Sequence, residues 1–191
     1  MLKAFYNADV TEAGLDEVGR GCLAGPVVAA AVMLPPDYTH PILIDSKQLS
    51  ARQRNRLRTD IERDALAWAV AEASVAEIDR INILKASFLA MHRAVDALTV
   101  RPGHLLVDGN RFVPYPLLPH TCIVKGDTKF LSIAAASVLA KTYRDDLMAH
   151  LGIEFPAYGW AQNAGYPTAL HRAALRELGA TDWHRRSFRL L

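Results

Sequence analysis

The feature that most constrains this chain is a pair of adjacent carboxylates, Asp16 and Glu17, at the end of an apolar run where a buried strand is predicted. Burying charge costs free energy unless a cation compensates for it, and a divalent metal ion is the strongest compensator available. The following Gly19-Arg20-Gly21 supplies a cation and two backbone positions that can closely approach a phosphate or a sugar. The stretch therefore predicts a metal site beside a phosphate- or sugar-binding loop.

Length and composition indicate a soluble globular protein. The chain has 191 residues, of which 51% are hydrophobic and 22% charged, and we expect one domain over 1–191 with a helical C-terminal part from about 152. No apolar run approaches the roughly 18 residues of a membrane span, and the N-terminus lacks signal-peptide features. Cys22 and Cys122 are too few for a disulfide framework or a four-thiolate zinc site. We therefore expect a cytoplasmic protein with free thiols, and a monomer.

Hydrophobic patterning predicts strands first, followed by alternating helices and strands. The predicted strands are 11–16, 27–34, 67–73, 104–109 and 121–124, with helix as the alternative for the alanine-rich 67–73. The predicted helices are 51–64 capped by Ser50, 83–98, 130–151, and a last helix capped by Thr168 and stopped by Gly179. This order indicates an α/β fold with a sheet of mixed direction.

Three of the acids, Asp16, Asp108 and Asp127, fall at or just beyond the C-terminal ends of predicted strands. Parallel neighbours bring such ends to one sheet edge, where α/β proteins place their sites. Glu17 would face the other side of an ideal strand unless a bulge or twist turned it toward the same pocket. Carboxylates select magnesium or manganese, and two such ions about 4 Å apart promote phosphodiester hydrolysis. The spacing alone therefore supports a metal-dependent phosphoryl-transfer hypothesis, although any single acid is more often a helix cap or a surface turn.

The net charge is only +2, but basic residues are unevenly distributed. One cluster contains Lys47, Arg52, Arg54, Arg56 and Arg58, and another contains Arg185, Arg186 and Arg189. Such clusters suit a polyanion, although solvated helix faces are the commoner explanation for any one of them.

Six ordered blocks of sequence resemble the type 2 ribonucleases H, and together they cover essentially the whole chain. They are Asp16–Gly21 with Ala24–Val28, Asp45–Ser50, Val107–Asn110, Lys125–Asp127, Ile133–Asp145, and Gly165–Thr168 with His171. The resemblance implies the ribonuclease H fold, an α/β fold whose central mixed five-stranded sheet is flanked by helices and followed by a helical C-terminal part.

The resemblance also implies roles for individual residues. Asp16, Glu17, Asp108 and Asp127 match the family's catalytic, metal-binding acids, which implies two Mn²⁺ or Mg²⁺ ions during catalysis. The substrate-binding matches are Gly19, Arg20 and Gly21 for the ribose 2′-hydroxyl and nearby phosphate, Tyr166 for stacking on the next deoxyribose, and Ser46 and Lys47 for phosphate. The 2′-hydroxyl is the only group that separates RNA from DNA at that sugar, so rigid backbone donors and acceptors suit its detection.

The implied activity is endonucleolytic hydrolysis of the RNA strand of RNA–DNA hybrids. It extends to cutting 5′ to single ribonucleotides embedded in duplex DNA, which leaves 3′-hydroxyl and 5′-phosphate ends. The implied partners are therefore RNA–DNA hybrid and ribonucleotide-containing duplex DNA, and Phe188-Leu190-Leu191 in the C-terminal tail suggests a weak contact with a sliding clamp.

Three other interpretations remain open from the sequence. Type 3 ribonucleases H normally carry an extra N-terminal domain, which the 14 residues before Leu15 do not provide. Another ribonuclease H-fold nuclease would share the acids without Gly-Arg-Gly and the tyrosine block, and a non-catalytic hybrid-binding module would not need the acids. Near the site, we expect Asp145 to orient a ligand or a lysine, Lys141 to approach the acids, and His171 to hydrogen-bond locally near Tyr166.

Overall fold

A five-stranded mixed sheet forms the centre of the computed structural model, which describes residues 2–43 and 49–191. Its strands are β1 (Glu12–Val18), β2 (Val27–Met33), β3 (Ala67–Ala73), β4 (His104–Asp108) and β5 (His120–Ile123), in the order β3-β2-β1-β4-β5. The pairs β1–β2 and β2–β3 are antiparallel, whereas β1–β4 and β4–β5 are parallel. The expected mixed five-stranded sheet is therefore confirmed.

Helices cover both faces of the sheet because its central strands are apolar on both sides. Every residue of β2 is buried. The helices are α1 (Ala51–Asp64), α2 (Val75–Ile81), α3 (Ile83–Asp96), α4 (Leu131–Glu154), α5 (Trp160–Asn163) and α6 (Ala169–Leu178). On one face Leu15 and Val107 pack with Met91 of α3. On the other, β2 packs with α1 and the alanine-rich part of α4. Burial of both sheet faces against helices gives a layered α/β arrangement with the sheet in the middle.

The helix α4 lies directly on β1 because Gly14 has no side chain. A Cβ added there would lie 2.5 Å from the carbonyl oxygen of Ser132, too close for real atoms. The first half of α4 is also rich in small buried residues, Ala134–Ala136 among them. Glycine facing alanine and serine allows this contact, which brings the middle of α4 to the end of β1.

Several predicted boundaries were wrong by a few residues. The first strand runs to Val18 rather than to Asp16, so the paired acids lie within β1. The long helix is Leu131–Glu154 rather than 130–151, and the helix predicted to reach residue 98 ends at Asp96. The segment 67–73 is a strand, so its helical alternative is wrong. Helix ends depend on the last tertiary contacts, which local pattern does not contain.

Cap residues were better predicted than helix lengths. Ser50 accepts from the Gln53 amide in a capping box, and Thr168 caps the helix that Gly179 ends. Sequence analysis missed the short helix α2, although Ser74 and Glu77 form a second capping box at its start. A serine followed three residues later by glutamate was the available signal.

The helices after α4 form a separate small core against the loop that follows β1. Leu23 and Ala24 from that loop pack with Met148 of α4, Trp160 and Leu175. Trp160 is fully buried, as expected for a packing tryptophan. No helix in the described residues is long and apolar enough to cross a membrane.

We predict that Gly14→Ala destabilises the protein by at least about 2 kcal/mol, because the new methyl group meets helix backbone that cannot rotate away. Gly103→Ala is the matched control, since a Cβ there meets nothing closer than 3.5 Å, and it should change stability by less than about 0.5 kcal/mol. Urea unfolding of both variants tests this, and equal midpoints would contradict the close-packing argument.

Candidate active site

Asp16 and Asp108 lie side by side at the end of the parallel pair β1–β4. The last paired row is Leu15 with Val107, and the two aspartates follow it directly. Asp16 is only 7% exposed, and its carboxylate accepts hydrogen bonds from the Glu17 amide (2.7 Å) and from the Ser137 side chain of α4. Asp108 Oδ1 accepts from the Gly126 amide at 2.7 Å. Both acids are therefore held in place by hydrogen bonds.

Glu17 reaches the same region without a bulge. The register of β1 with β2 runs unbroken through Asp16 and Glu17, so the two side chains leave opposite faces of the strand. Glu17 nevertheless lines two adjacent cavities at the sheet edge, one of about 300 Å³ that it shares with Asp16 and Asp108, and one of about 270 Å³ beside α3. It also forms an ion pair with Arg20 at 3.1 Å.

The electrostatics of the acids favour a cation at this site. Burial, followed by the charges of Glu17 and then Asp108, holds the pKa of Asp16 well above its usual range. Burial also raises the pKa of Glu17, and Arg20 opposes that shift. Each carboxylate would therefore be stabilised by a positive charge placed between them.

These residues fit a hard divalent cation. Their donors are carboxylate oxygens, which Mg²⁺ and Mn²⁺ prefer. Within residues 2–43 and 49–191, no three acidic, histidine or cysteine side chains converge closely enough to hold an ion by themselves. Mg²⁺ commonly binds through one or two carboxylates and completes its shell with water and substrate oxygens. The pairing of Asp16 with a neighbouring acid meets that requirement.

Asp127 occupies a different position from the other three acids. It is buried in a short 3-10 turn, Gly126–Thr128, and does not line the 300 Å³ cavity. Its neighbour Gly126 donates to Asp108. The structure thus brings Asp16, Glu17 and Asp108 to one cavity and places Asp127 one residue from the backbone group that holds Asp108.

The loop Gly19–Arg20–Gly21 and the ring of Tyr166 line the same cavity as the acids. Gly19 has φ +93°, and a Cβ there would lie 2.8 Å from the guanidinium carbon of Arg144, so only glycine fits. Tyr166 is 41% exposed, and its ring lies about 4.0 Å from where a Gly21 Cβ would be. Ser46 and Lys47 lie outside the described residues.

Comparison with known proteins identifies the family. A family model described as ribonuclease HII matches residues 13–191. Ribonuclease HII of Parabacteroides distasonis is 62% identical over 191 residues, which are all of this chain and 96% of that protein. Ribonuclease HII of Bacteroides thetaiotaomicron is 63% identical with the same coverage. The chain belongs to the ribonuclease HII family.

Solved structures show the same fold. Ribonuclease H2 from Pyrococcus horikoshii matches with a TM-score of 0.78 at 23% identity over 94% of each chain. The ribonuclease HII in the complex with PCNA from Archaeoglobus fulgidus matches with 0.74 at 26% identity, over 95% of this chain and 96% of that one. Bst-RNase HIII in complex with Mn²⁺ matches with 0.70 at 20% identity, over 94% of this chain and 67% of that one.

Membership of the ribonuclease HII family makes this chain a hydrolase of the ribonuclease H fold, an endoribonuclease. It also implies endonuclease activity on RNA–DNA hybrids and a need for a divalent metal. The family match does not support the two remaining interpretations, a hybrid-binding module without activity and another ribonuclease H-fold nuclease.

The two basic clusters turn out to have mixed roles. Arg54 lines the active-site cavity, whereas Arg58 is bound to Glu62 at 2.8 Å and to Asp146 at 2.6 Å. Lys47 lies outside the described residues. Arg185 belongs neither to a polyanion-binding surface nor to a solvated helix face, because its side chain is fully buried and donates to backbone carbonyls. Its basic neighbours concealed this, since sequence alone does not show which arginine points inward.

A second buried arginine, Arg144, lies beneath the loop Gly19–Gly21. It donates to the carbonyl oxygens of Pro26 (3.0 Å), Ala24 (2.9 Å) and Ala164 (2.7 Å). Sequence analysis missed this role. The available signal was a cation close to the small buried residues of the same helix, a pattern that Lys141 shares. Asp145, next to Arg144, binds Lys141 at 2.6 Å, which confirms the expectation that Asp145 orients a lysine.

A buried histidine pair lies behind Tyr166. His171 Nδ1 donates to the Tyr166 carbonyl at 2.9 Å, so the local hydrogen bond expected of His171 is confirmed. His184 Nδ1 accepts from the Thr181 amide at 2.9 Å, which leaves the hydrogen of neutral His184 on Nε2, 3.0 Å from His171 Nε2. Trp160 Nε1 also donates to His171 Nε2 at 3.1 Å, so that nitrogen is an acceptor and both rings are neutral in this arrangement.

Because of this histidine pair, we predict that the folded protein is less stable in acid than at neutral pH. Burial, followed by the charge of His171, lowers the pKa of His184 to about 4, and burial lowers that of His171. Above pH 6.5, the ordinary pKa of histidine, both side chains are neutral in the folded and in the unfolded chain, so the pair does not lower the stability. As pH falls from 6.5 toward 4, the unfolded chain binds protons first, and His184 alone should cost about 3 kcal/mol. Unfolding free energies at several pH values measure this slope.

Two glutamine variants separate the pair from other titrating groups. His184→Gln should flatten the slope between pH 6.5 and 4. His150→Gln is the matched control, because His150 is exposed and bonds only to a carbonyl of its own helix. A wild-type slope in His184→Gln would contradict the assignment.

Proposed function

We propose that this protein hydrolyses the RNA strand of RNA–DNA hybrids and also cuts 5′ to single ribonucleotides embedded in duplex DNA, leaving 3′-hydroxyl and 5′-phosphate ends. The supporting observation is that acids and sugar-recognition groups line one cavity. Its lining includes the acids Asp16, Glu17 and Asp108 as well as Gly19–Arg20–Gly21 and Tyr166. A strand seated in that cavity would have its phosphate at the acids and its sugar at the loop.

We propose further that Asp16, Glu17, Asp108 and Asp127 bind two Mg²⁺ or Mn²⁺ ions during catalysis. The raised pKa of Asp16, caused by burial and by Glu17 and Asp108, supports a cation at this place. Bst-RNase HIII, a protein of the same fold, is described in complex with Mn²⁺. Bound ions would supply activation of water and stabilisation of the departing oxygen. Ser137 and the Gly126 amide would keep the aspartates oriented for them.

In the proposed recognition step, backbone groups of Gly19–Gly21 contact the 2′-hydroxyl, and the Tyr166 ring stacks on the next deoxyribose. The exposure of the ring and its closeness to Gly21 support this. A sugar lacking the hydroxyl would leave the backbone groups unpaired, which is the kind of loss that discriminates strongly. Ser46 and Lys47 are proposed phosphate contacts on the basis of sequence alone.

The proposal also covers assembly. We expect a monomer that forms one catalytic domain over 1–191. The PCNA complex of the Archaeoglobus fulgidus protein supports a weak clamp contact through the C-terminal tail. Here Phe188 and Leu190 pack partly against the protein's own core, whereas Leu191 is 59% exposed. A clamp would therefore meet Leu191 first and would have to compete for the other two.

We predict that Asp16→Asn and Asp108→Asn fold but lose activity by at least about a hundredfold, since metal-assisted charge stabilisation is worth several kcal/mol. In chelator, Asp16→Asn should unfold at a temperature no lower than the wild type, because it removes a buried charge. Cleavage of a one-ribonucleotide duplex and of a long hybrid, each with Mg²⁺ and with Mn²⁺, measures the loss. The exposed Asp37→Asn is the control. Substantial activity in both variants would defeat the metal assignment.

We predict that Tyr166→Ala weakens cleavage of a one-ribonucleotide duplex by about tenfold, because aromatic stacking on nucleic acid is worth about 1–3 kcal/mol. Its melting temperature should change little, since the ring is substantially exposed. Tyr166→Phe keeps the stacking surface and should retain most of the activity. Equal losses in the two variants would indicate that the hydroxyl, rather than the ring, carries the contact.

A further inference from the structure

The two parts of the proposed recognition surface belong to distant segments of the chain. They bond to each other directly, Arg144 bonds to both, and the C-terminal segment Trp183–Arg185 lies against them on the buried side. Leu23–Gly25, just after the loop Gly19–Gly21, pairs with this segment through the Arg185 amide to Leu23 O and the Gly25 amide to Trp183 O, both 2.9 Å. On its other side the Leu23 amide donates to Gly165 O, next to Tyr166, at 2.8 Å. Loop, tyrosine turn and C-terminal segment thus form one hydrogen-bonded unit.

The side chain of Arg185 continues from this unit into the recognition loop itself. It donates from Nη1 to Arg20 O at 3.0 Å, from Nε to Gly25 O at 2.9 Å and from Nη2 to Pro26 O at 3.2 Å. The Arg20 carbonyl and the Gly21 N–H belong to the same planar trans peptide, so they point in opposite directions. Binding the carbonyl therefore aims the Gly21 amide away from Arg185. In the described part of the chain no acceptor takes that hydrogen.

The neighbouring side chain, His184, reaches the tyrosine turn. Its Nε2 lies 3.0 Å from His171 Nε2, and His171 Nδ1 donates to the Tyr166 carbonyl. Two consecutive residues thus hold the main chain beneath both recognition elements, Arg185 on the loop side and His184 on the tyrosine side.

Charge pairing does not explain the burial of Arg185. Its side chain is 0% exposed, and among the described residues no carboxylate lies within 4.0 Å of it. Burying a guanidinium costs free energy, which the hydrogen bonds to carbonyls offset here together with a cation–π contact with Phe188 at 5.1 Å. A lysine would carry the same charge without the planar fork that reaches three carbonyls. The fork geometry, rather than the charge, is what this position uses.

We propose that Arg185 is a positioning residue for ribose recognition, which fixes the Gly21 amide while His184 fixes the Tyr166 turn. This inference rests on the proposed function, since it assigns the C-terminal segment a part in distinguishing ribose from deoxyribose. Arg185 touches no substrate and acts only through the backbone it holds.

The test compares Arg185→Lys with Arg172→Lys. Arg172 also donates to a carbonyl of the C-terminal region, Leu190 O at 2.7 Å, but contacts neither the loop nor Tyr166. The substrate is a labelled duplex with one ribonucleotide, and the competitor is an all-DNA duplex of the same sequence. The ratio of the competitor's Ki to the substrate's KM measures selectivity for the 2′-hydroxyl. A loss of folded enzyme lowers kcat but leaves this ratio unchanged.

We expect Arg185→Lys to lower the ratio about tenfold, equivalent to about 1.4 kcal/mol, with Ki for DNA unchanged, and Arg172→Lys to keep the wild-type ratio. A wild-type ratio in Arg185→Lys, or an equal loss in Arg172→Lys, overturns the proposal. If circular dichroism shows Arg185→Lys unfolded, His184→Gln decides: a folded variant with a lowered ratio supports the proposal. A wild-type ratio there, or failure of both variants to fold, overturns it.

The wild-type enzyme separates the two levels of the argument. If it does not cut the one-ribonucleotide duplex, the proposed function fails and the inference fails with it. If it cuts with clear selectivity and Arg185→Lys keeps that selectivity, only the role of Arg185 is wrong.

Discussion

The direct contact of α4 with β1 at Gly14 determines where the functional groups of this protein lie. Since no side chain separates helix from strand there, successive turns of α4 pass close to the sheet edge. Ser137 meets Asp16, Lys141 lines the cavity, and Arg144 lies under Gly19. A helix rises about 5.4 Å per turn. The contact with Gly14 near the start of α4 therefore fixes how far the later residues on the same helix face lie from the sheet. A shift of α4 at this contact would move both Ser137, which donates to Asp16, and Arg144, which lies under Gly19.

The same packing places a carboxylate where it destabilises the fold. Asp16 is almost fully buried beside two other acids, and its pKa is raised by that burial and by their charges. The protein offers only partial compensation, because Arg20 pairs with Glu17 at the rim and Lys141 is bound to Asp145. The resulting negative potential favours any divalent cation that enters. Stability in the absence of metal and readiness to bind metal are therefore opposed at one residue.

Sequence reasoning predicted the sheet, most strand positions and the meeting of Asp16 with Asp108, because strand ends and apolar periodicity are local signals. It expected Glu17 on the other face unless a bulge or twist turned it. It could not place Asp127, whose position depends on a short turn after β5 rather than on a strand end. It also could not show that Arg185 is buried, because a buried and a solvated arginine look alike in a basic run. Whether an arginine is paired with carbonyls depends on segments far apart in the chain, and a single sequence holds no record of that contact.

This protein has two groups of buried or partly buried charges, acids at the cavity and arginines beneath the loop that follows β1. On the cavity side, Asp16 is buried and Glu17 partly buried near Asp108, and their raised pKa values favour a cation there. Beneath the loop Gly19–Gly21, Arg144 and Arg185 donate to backbone carbonyls. Had either arginine been paired with a carboxylate, its fork would have been turned from the backbone, and the peptide orientation of the loop would lose its support. Because both arginines donate to carbonyls, they fix the orientation of the peptide planes in the loop. They are also not paired with Asp16 and Glu17, which lie in β1 just before that loop.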